Sequence, residues 1–200
     1  MAGKLIVIEV IDGAGGQTQS NLLFDFLKSK KIPVEKLSYP DYGSPTGKFI
    51  DQYLHSEHEL SVDVLFLLHT TDRVKDKEKI NLFLREGKTV ITDRWFTSTL
   101  AYQTAQGFDM KKAVDVGNIL DIPKPDLVIY IKISPEISMK RKFGEKGYLD
   151  RMEKDGKFLG KVVKQYDYLA KNNVFGKWIV IDGEKTKEQV FAEIKKSVKL

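Results

Sequence analysis

The stretch Leu5-Ile6-Val7-Ile8-Glu9-Val10-Ile11-Asp12-Gly13-Ala14-Gly15-Gly16-Gln17-Thr18-Gln19 decides how the rest of the chain is read. A nearly continuous apolar run, as in a strand buried on both faces, leads into a glycine-rich turn. The turn leads into a segment that carries Leu22, Leu23, Phe26 and Leu27 on one helical face. Strand, glycine turn and helix in this order make a phosphate cradle, because backbone N–H groups and the positive end of the helix then face the anion. Glycine is needed there: a side chain would hold the backbone away from the phosphate, and the loop visits positive φ. Gly13, Gly15 and Gly16 meet that need.

One part of the usual cradle is missing. The spacing G-x-x-x-x-G-K-[ST] places a lysine on the outer phosphates and a hydroxyl on Mg²⁺. Its two glycines, lysine and hydroxyl fall here on Val10, Gly15, Gly16 and Gln17. A slip of one residue puts Gly16, Gln17 and Thr18 at the last three places, which restores the hydroxyl but not the charge. Both registers stay open at this stage. Loss of such an electrostatic stabiliser costs about 10²–10³ in rate, so either catalysis is weak or another cation compensates.

Outward from the loop, residues 5–10, 34–39, 89–92, 127–131 and 178–181 read as five strands buried on both faces. Residues 18–30, 62–73, 75–85 and 188–198 carry helical periodicity, and residues 149–171 read as a lid followed by a long helix. Alternating strands and helices predict an α/β fold: a three-layer sandwich with a five-stranded parallel sheet between helices, as in P-loop NTPases. Neither a repeat nor a linker divides residues 1–200, so a single domain is expected.

Composition narrows the chemistry. The chain has no cysteine, which removes disulfides and thiolates, and His55, His58 and His69 are too scattered for an ordinary zinc centre. A metal would be Mg²⁺ on oxygen ligands. No window approaches the roughly 18 apolar residues of a membrane span, and the start of the chain is too short for a signal peptide, so a cytoplasmic protein without a membrane partner is expected. The net charge of +5 arises from 33 basic and 28 acidic residues that are mostly interspersed, which favours phosphate ligands only weakly.

Further motifs carry a family resemblance. Ile8 to Gln19 is similar to F-E-G-[IL]-D-G-[ST]-G-K-[ST]-T-Q, and Val90-Ile91-Thr92-Asp93-Arg94-Trp95-Phe96-Thr97-Ser98-Thr99-Leu100-Ala101-Tyr102-Gln103 matches D-R-[YH]-x-x-S-x-x-A-Y-Q at its defining positions. With Tyr39-Pro40-Asp41-Tyr42, Leu67-Leu68-His69-Thr70-Thr71-Asp72-Arg73, Pro125-Asp126-Leu127 and Asp150-Arg151-Met152-Glu153, the chain resembles thymidylate kinases over nearly its whole length.

The resemblance implies transfer of the γ-phosphoryl group of ATP·Mg²⁺ to thymidine monophosphate. It implies that Gly13, Ala14, Gly15, Gly16, Gln17 and Thr18 cradle ATP, that Arg94 and Arg151 neutralise transferring charge, and that Asp93, with Thr18 in the slipped register, serves Mg²⁺. The acceptor falls to Asp12, Tyr42, His69, Arg73, Ser98, Tyr102 and Gln103, with Arg73 gripping its phosphate and His69 standing where a stacking phenylalanine is usual. A lid over residues 140–153 would offer Arg141 or Lys146 in place of the missing loop charge. A homodimer and the absence of a nucleic-acid partner are inherited expectations. Two other readings stand beside this one: a nucleotide-binding pseudokinase that lost transfer with its lysine, and a nucleic-acid-binding protein suggested by net charge alone.

Overall fold

The structure, a computed structural model, describes residues 3–56, 59–148, 152 and 155–198. The apolar runs form β1 (Lys4–Val10), β2 (Val34–Ser38), β3 (Thr89–Asp93), β4 (Leu127–Lys132) and β5 (Trp178–Asp182). They pair in parallel in the order β2-β3-β1-β4-β5. Each expected strand is present, with no end displaced by more than one residue.

Burial on both faces holds for β1, β3 and β4, where Leu5, Ile8, Val90, Ile91 and residues 128–131 are fully buried. It does not hold for β2 and β5, which are partly exposed along their length. These two are the edge strands, and a local run of apolar residues carries no information about position within a sheet.

Between the strands lie α1 (Gly16–Ser29), α2 (Pro45–His55), α3 (Val62–Val74), α4 (Lys77–Arg85), α5 (Phe96–Ala105), α6 (Met110–Ile119), α7 (Pro135–Lys146), α8 (Gly156–Lys171) and α9 (Lys187–Ser197). Helices α1 and α9 pack together on one face of the sheet, and α5 and α8 pack together on the other. Four helices, α2, α5, α6 and α7, were not expected. The first seven residues of the expected lid, 140–146, are the end of α7. Residues 149–151, 153 and 154, and with them Arg151, lie outside the described residues, as does the side chain of Lys146.

The sheet order fixes where a ligand can sit. The chain leaves β1 toward β2 and β3 on one side and later reaches β4 on the other, so the strand order reverses at β1. In open α/β sheets the crevice beyond the carboxyl ends of the strands at such a reversal collects ligands. The glycine turn after β1 and Asp93-Arg94 after β3 both open into it, because Ile8 pairs with Asp93.

Candidate active site

The turn after β1 folds around two glycines in the left-handed region, Gly13 at φ 77° and Gly15 at φ 83°. A Cβ at Gly13 would stand 2.8 Å from the carbonyl oxygen of Ser138, whereas one at Gly15 would meet no described residue within 4 Å. Gly13 therefore lets α7 close against the loop, and Gly15 leaves the loop open on its outer side. From α7, Ser138 Oγ donates to the carbonyl of Asp12 at 2.6 Å, and Arg141 Nη1 donates to the carbonyls of Gly13 and Gly183 at 3.3 Å each. Arg141 thus straps the loop to the turn after β5.

Among the described residues no side chain caps the head of α1, and its first turn holds no acidic residue, whereas Ser44, Ser61 and Thr186 cap α2, α3 and α9. Gln19 makes the first bond of the helix, to the carbonyl of Gly15 at 2.9 Å. The N–H groups of Gly16, Gln17 and Thr18 and the positive helix end remain for an anion.

Gly16, the first residue of α1, faces Val10 and Asp93. Gln17 and Thr18 are exposed, and at about 100° per residue Thr18 lies roughly 200° around the helix from the Asp93 side. Asp93 is 8 % exposed; its Oδ2 accepts a 3.3 Å bond from Ser38 and its Oδ1 points toward the head of α1. Burial raises its pKa, with Arg94 and Lys36 acting in the opposite sense. One buried carboxylate beside an anion cradle fits Mg²⁺, which is commonly held by one or two carboxylates, waters and the phosphates of its nucleotide. Among the described residues no group of three acidic or histidine side chains competes for it.

Arg94 joins the loop to the cleft beside it. Its φ of 65° is unusual for a residue with a side chain and is held by three bonds. The N–H donates to Ile8 O at 2.9 Å, Nη1 to Val10 O at 2.7 Å, and Nη2 to Asp12 Oδ1 at 2.9 Å. Behind it Glu9 is fully buried and takes four donors: Trp95 N at 3.1 Å, Thr97 Oγ1 and Ser98 Oγ at 2.5 Å, and Tyr166 OH at 2.8 Å. Burial raises the pKa of Glu9 against these bonds. One carboxylate so fixes the end of β1, the start of α5 and the middle of α8.

The cleft holds about 600 Å³ of atom-free space, its open mouth included. All seven residues assigned to the acceptor line it: Asp12, Tyr42, His69, Arg73, Ser98, Tyr102 and Gln103, together with Arg94. Ser98 is in the wall, but its hydroxyl donates to Glu9. Tyr102 OH reaches Asp12 Oδ2 at 3.4 Å, and the Arg94 guanidinium lies 5.6 Å from the Tyr102 ring centre.

Arg73 is 2 % exposed, and its hydrogen-bond partners among the described residues all belong to α3. Nη1 lies 3.0 Å from His69 O and 3.2 Å from His69 Nδ1, and 3.5 Å from Asp72 Oδ2. Among the described residues its buried Nε has no hydrogen-bond partner, nor has the buried Oε1 of Gln103. An unpartnered donor and an unpartnered acceptor on one cleft are suited to a ligand edge that offers both. Burial, then the charges of Arg73 and Arg94, hold His69 well below the usual histidine range, so it is neutral and its Nδ1 accepts from Arg73.

A glycine loop beside a cleft of this make-up is matched by the family profile for thymidylate kinase over residues 8–194. The chain belongs to the thymidylate kinase family. Thymidylate kinase from Schizosaccharomyces pombe is 34% identical over 197 residues, covering 96% of this chain and 90% of that protein. The probable thymidylate kinase of Pyrococcus horikoshii is 32% identical over 205 residues, covering 100% and 97%. A solved structure of thymidylate kinase from Candida albicans superposes with a TM-score of 0.76 at 27% identity, covering 98% of this chain and 91% of that one. The fold is accordingly that of P-loop kinases, and in its unslipped register the loop of this thymidylate kinase family member differs from the general spacing G-x-x-x-x-G-K-[ST] at Val10, Gly16 and Gln17.

Residues that sequence reasoning passed over also build the site. Pro40, Leu54, Thr99 and Met152 line the cleft. Asp72, fully buried, takes Asp41 N at 3.1 Å and Thr46 Oγ1 at 2.9 Å, fixing the segment after β2 against α3. The capping pattern Ser44-Pro45 was the signal available for Leu54, since it starts the helix that carries it.

Proposed function

We propose that this chain transfers the γ-phosphoryl group of ATP to thymidine monophosphate, giving thymidine diphosphate and ADP, as a nucleoside monophosphate kinase. The observation that carries this reading is the continuity of the cradle with the cleft. Asp12 is both the turn's own residue and a wall of the cleft, and Arg94 binds the loop from the cleft side. A donor phosphate at the head of α1 and an acceptor in the cleft then meet at Arg94.

An oxygen of the acceptor's monophosphate attacks the γ-phosphorus, and the bond to the β-bridging oxygen breaks. The attacking oxygen is already anionic, so no side chain has to remove a proton. Positioning and charge neutralisation supply the catalysis. The loop contributes N–H groups from residues 13–18, Arg94 neutralises charge at the meeting point, and Arg141 holds the loop in shape. Asp93 would hold Mg²⁺, which would supply neutralisation of phosphate charge. Arg151 and Lys146 stay in the proposal as further cations of a lid within the single domain.

The acceptor's phosphate is assigned here to Arg94 rather than to Arg73, because the hydrogen bonds that Arg73 makes with described residues all lie within α3. Arg73 Nε and Gln103 Oε1 instead suit the carbonyl and N–H of a thymine edge, with His69 and Tyr102 as flanking rings and Asp12 near the sugar. Among the described residues no helix is long and apolar enough to cross a membrane. We place the protein in the cytoplasm and as a homodimer, with no nucleic-acid partner; light scattering tests the dimer.

A coupled assay with ATP, Mg²⁺ and each nucleoside monophosphate tests the activity. Turnover with thymidine monophosphate ahead of the others is expected; inactivity on all of them defeats the proposal.

A further inference from the structure

Position 16 is closed off by its neighbours. A Cβ built on Gly16 stands 2.9 and 3.3 Å from the two methyl groups of Val10 and 2.8 Å from Asp93 Oδ1. Contacts under about 3.0 Å oblige one partner to move. Asp93 can turn its carboxylate about its own side-chain bonds. Val10 has no such freedom: it is branched at Cβ and 4 % exposed, it ends the central strand, and its carbonyl is held by Arg94 at 2.7 Å.

In the unslipped register the standard phosphate-loop spacing has a glycine at position 10 and a lysine at position 16. This chain has the two exchanged in kind: the side chain stands at 10 and the glycine at 16. Here Val10 fills the small volume beside Asp93 from the end of the strand, where a side chain at position 16 would enter from the head of the helix. Both side chains together would overpack it, and two glycines would leave a void.

We propose that Val10 and Gly16 are a reciprocal packing pair, in which Val10 bars a side chain, and with it a lysine, from the head of α1. Val10 is a positioning residue of the loop. The loop itself then contributes only main-chain N–H groups to the phosphates, and positive charge comes from arginines outside it. The part about phosphates rests on the function proposed above; the packing pair does not.

The test is a double-mutant cycle of Gly16→Ala and Val10→Ala, read by melting temperature and by calorimetric binding of a non-hydrolysable ATP analogue with Mg²⁺. Gly16→Ala alone is expected to lower the melting temperature by roughly 5 °C or more and analogue affinity about tenfold. In the double variant the methyl group added at position 16 should cost far less than it does beside Val10, in both readouts. The pair Gly16→Lys and V10A/G16K extends the cycle: the single change should be worse than wild type, and the double should bind the analogue about tenfold tighter than Gly16→Lys. Strictly additive effects, or a Gly16→Lys variant that melts as wild type and binds more tightly without any change at Val10, would overturn the pair. A wild-type chain that binds no analogue would refute the phosphate reading, while the melting temperatures would still decide the pair.

Discussion

Arg94 Nη2 lies 2.9 Å from Asp12 Oδ1, so the arginine that follows β3 is fastened to the glycine turn that follows β1. With Nη1 on the carbonyl of Val10, the guanidinium is fixed at the boundary between cradle and cleft before any ligand arrives. A charge held in place in this way needs no reorganisation as negative charge develops, and that is where electrostatic catalysis is strongest.

Arg94→Ala is therefore expected to lower kcat by about 10²–10³, with a smaller effect on the KM for ATP. Arg94→Lys should recover little of it, because an ammonium cannot serve Val10 O and Asp12 together in a planar fork. Steady-state kinetics of the two variants checks this. A mere tenfold loss would mean that another cation carries the charge.

Glu9→Ala leaves the donors of Trp95, Thr97, Ser98 and Tyr166 without their buried acceptor. A loss on the order of 3 kcal/mol follows, or roughly 6–12 °C in melting temperature at about 2–4 °C per kcal/mol. The pH dependence has a definite sign. The pKa of Glu9 is raised in the folded state by burial, so its favourable contribution is complete below about pH 4.5 and fades as pH rises through the folded value. Measured against Glu9→Gln, which does not titrate, wild type should lose melting temperature as pH rises from about 4.5, and the difference should become constant above the folded value.

His69 is depressed by burial and by the charges of Arg73 and Arg94. Its contribution to stability is present above about pH 6.5 and is lost as pH falls below that value, by up to about 1.4 kcal/mol per pH unit. His69→Phe should remove that loss. It should also lower the KM for the acceptor severalfold at unchanged kcat, since a phenyl ring offers a base more apolar area than an imidazole. A pH titration of stability and one kinetic series cover both outcomes.

Arg73→Ala should raise the KM for the acceptor by about 10–100-fold and leave the KM for ATP within about threefold, because Arg73 lies in the cleft and not on the loop. Equal damage to both constants would show that Arg73 acts through the packing of α3 instead.

The strands were legible because a buried run of Val, Ile and Leu declares itself locally, to within a residue of the true ends. Helix α5 was hidden because residues 96–101 are all buried, which erases the polar face that makes a helix period visible. Helix α2 was hidden by Gly47, whose Cα packs so closely on Asp41 that a Cβ would lie 1.8 Å from its carbonyl oxygen. The seven residues expected at the acceptor came from four separate motifs, and all seven line one cleft. Glu9 and Val10 were not legible as actors. Glu9 acts through residues up to 157 positions away, and Val10 through a helix head whose approach only the fold determines.

The most direct test of the central claim is steady-state turnover of the unmodified chain with Mg²⁺·ATP and thymidine monophosphate. The account predicts thymidine diphosphate and ADP in equal amounts, from a loop that carries no lysine. Tight binding of an ATP analogue with no diphosphate formed from any nucleoside monophosphate would contradict it.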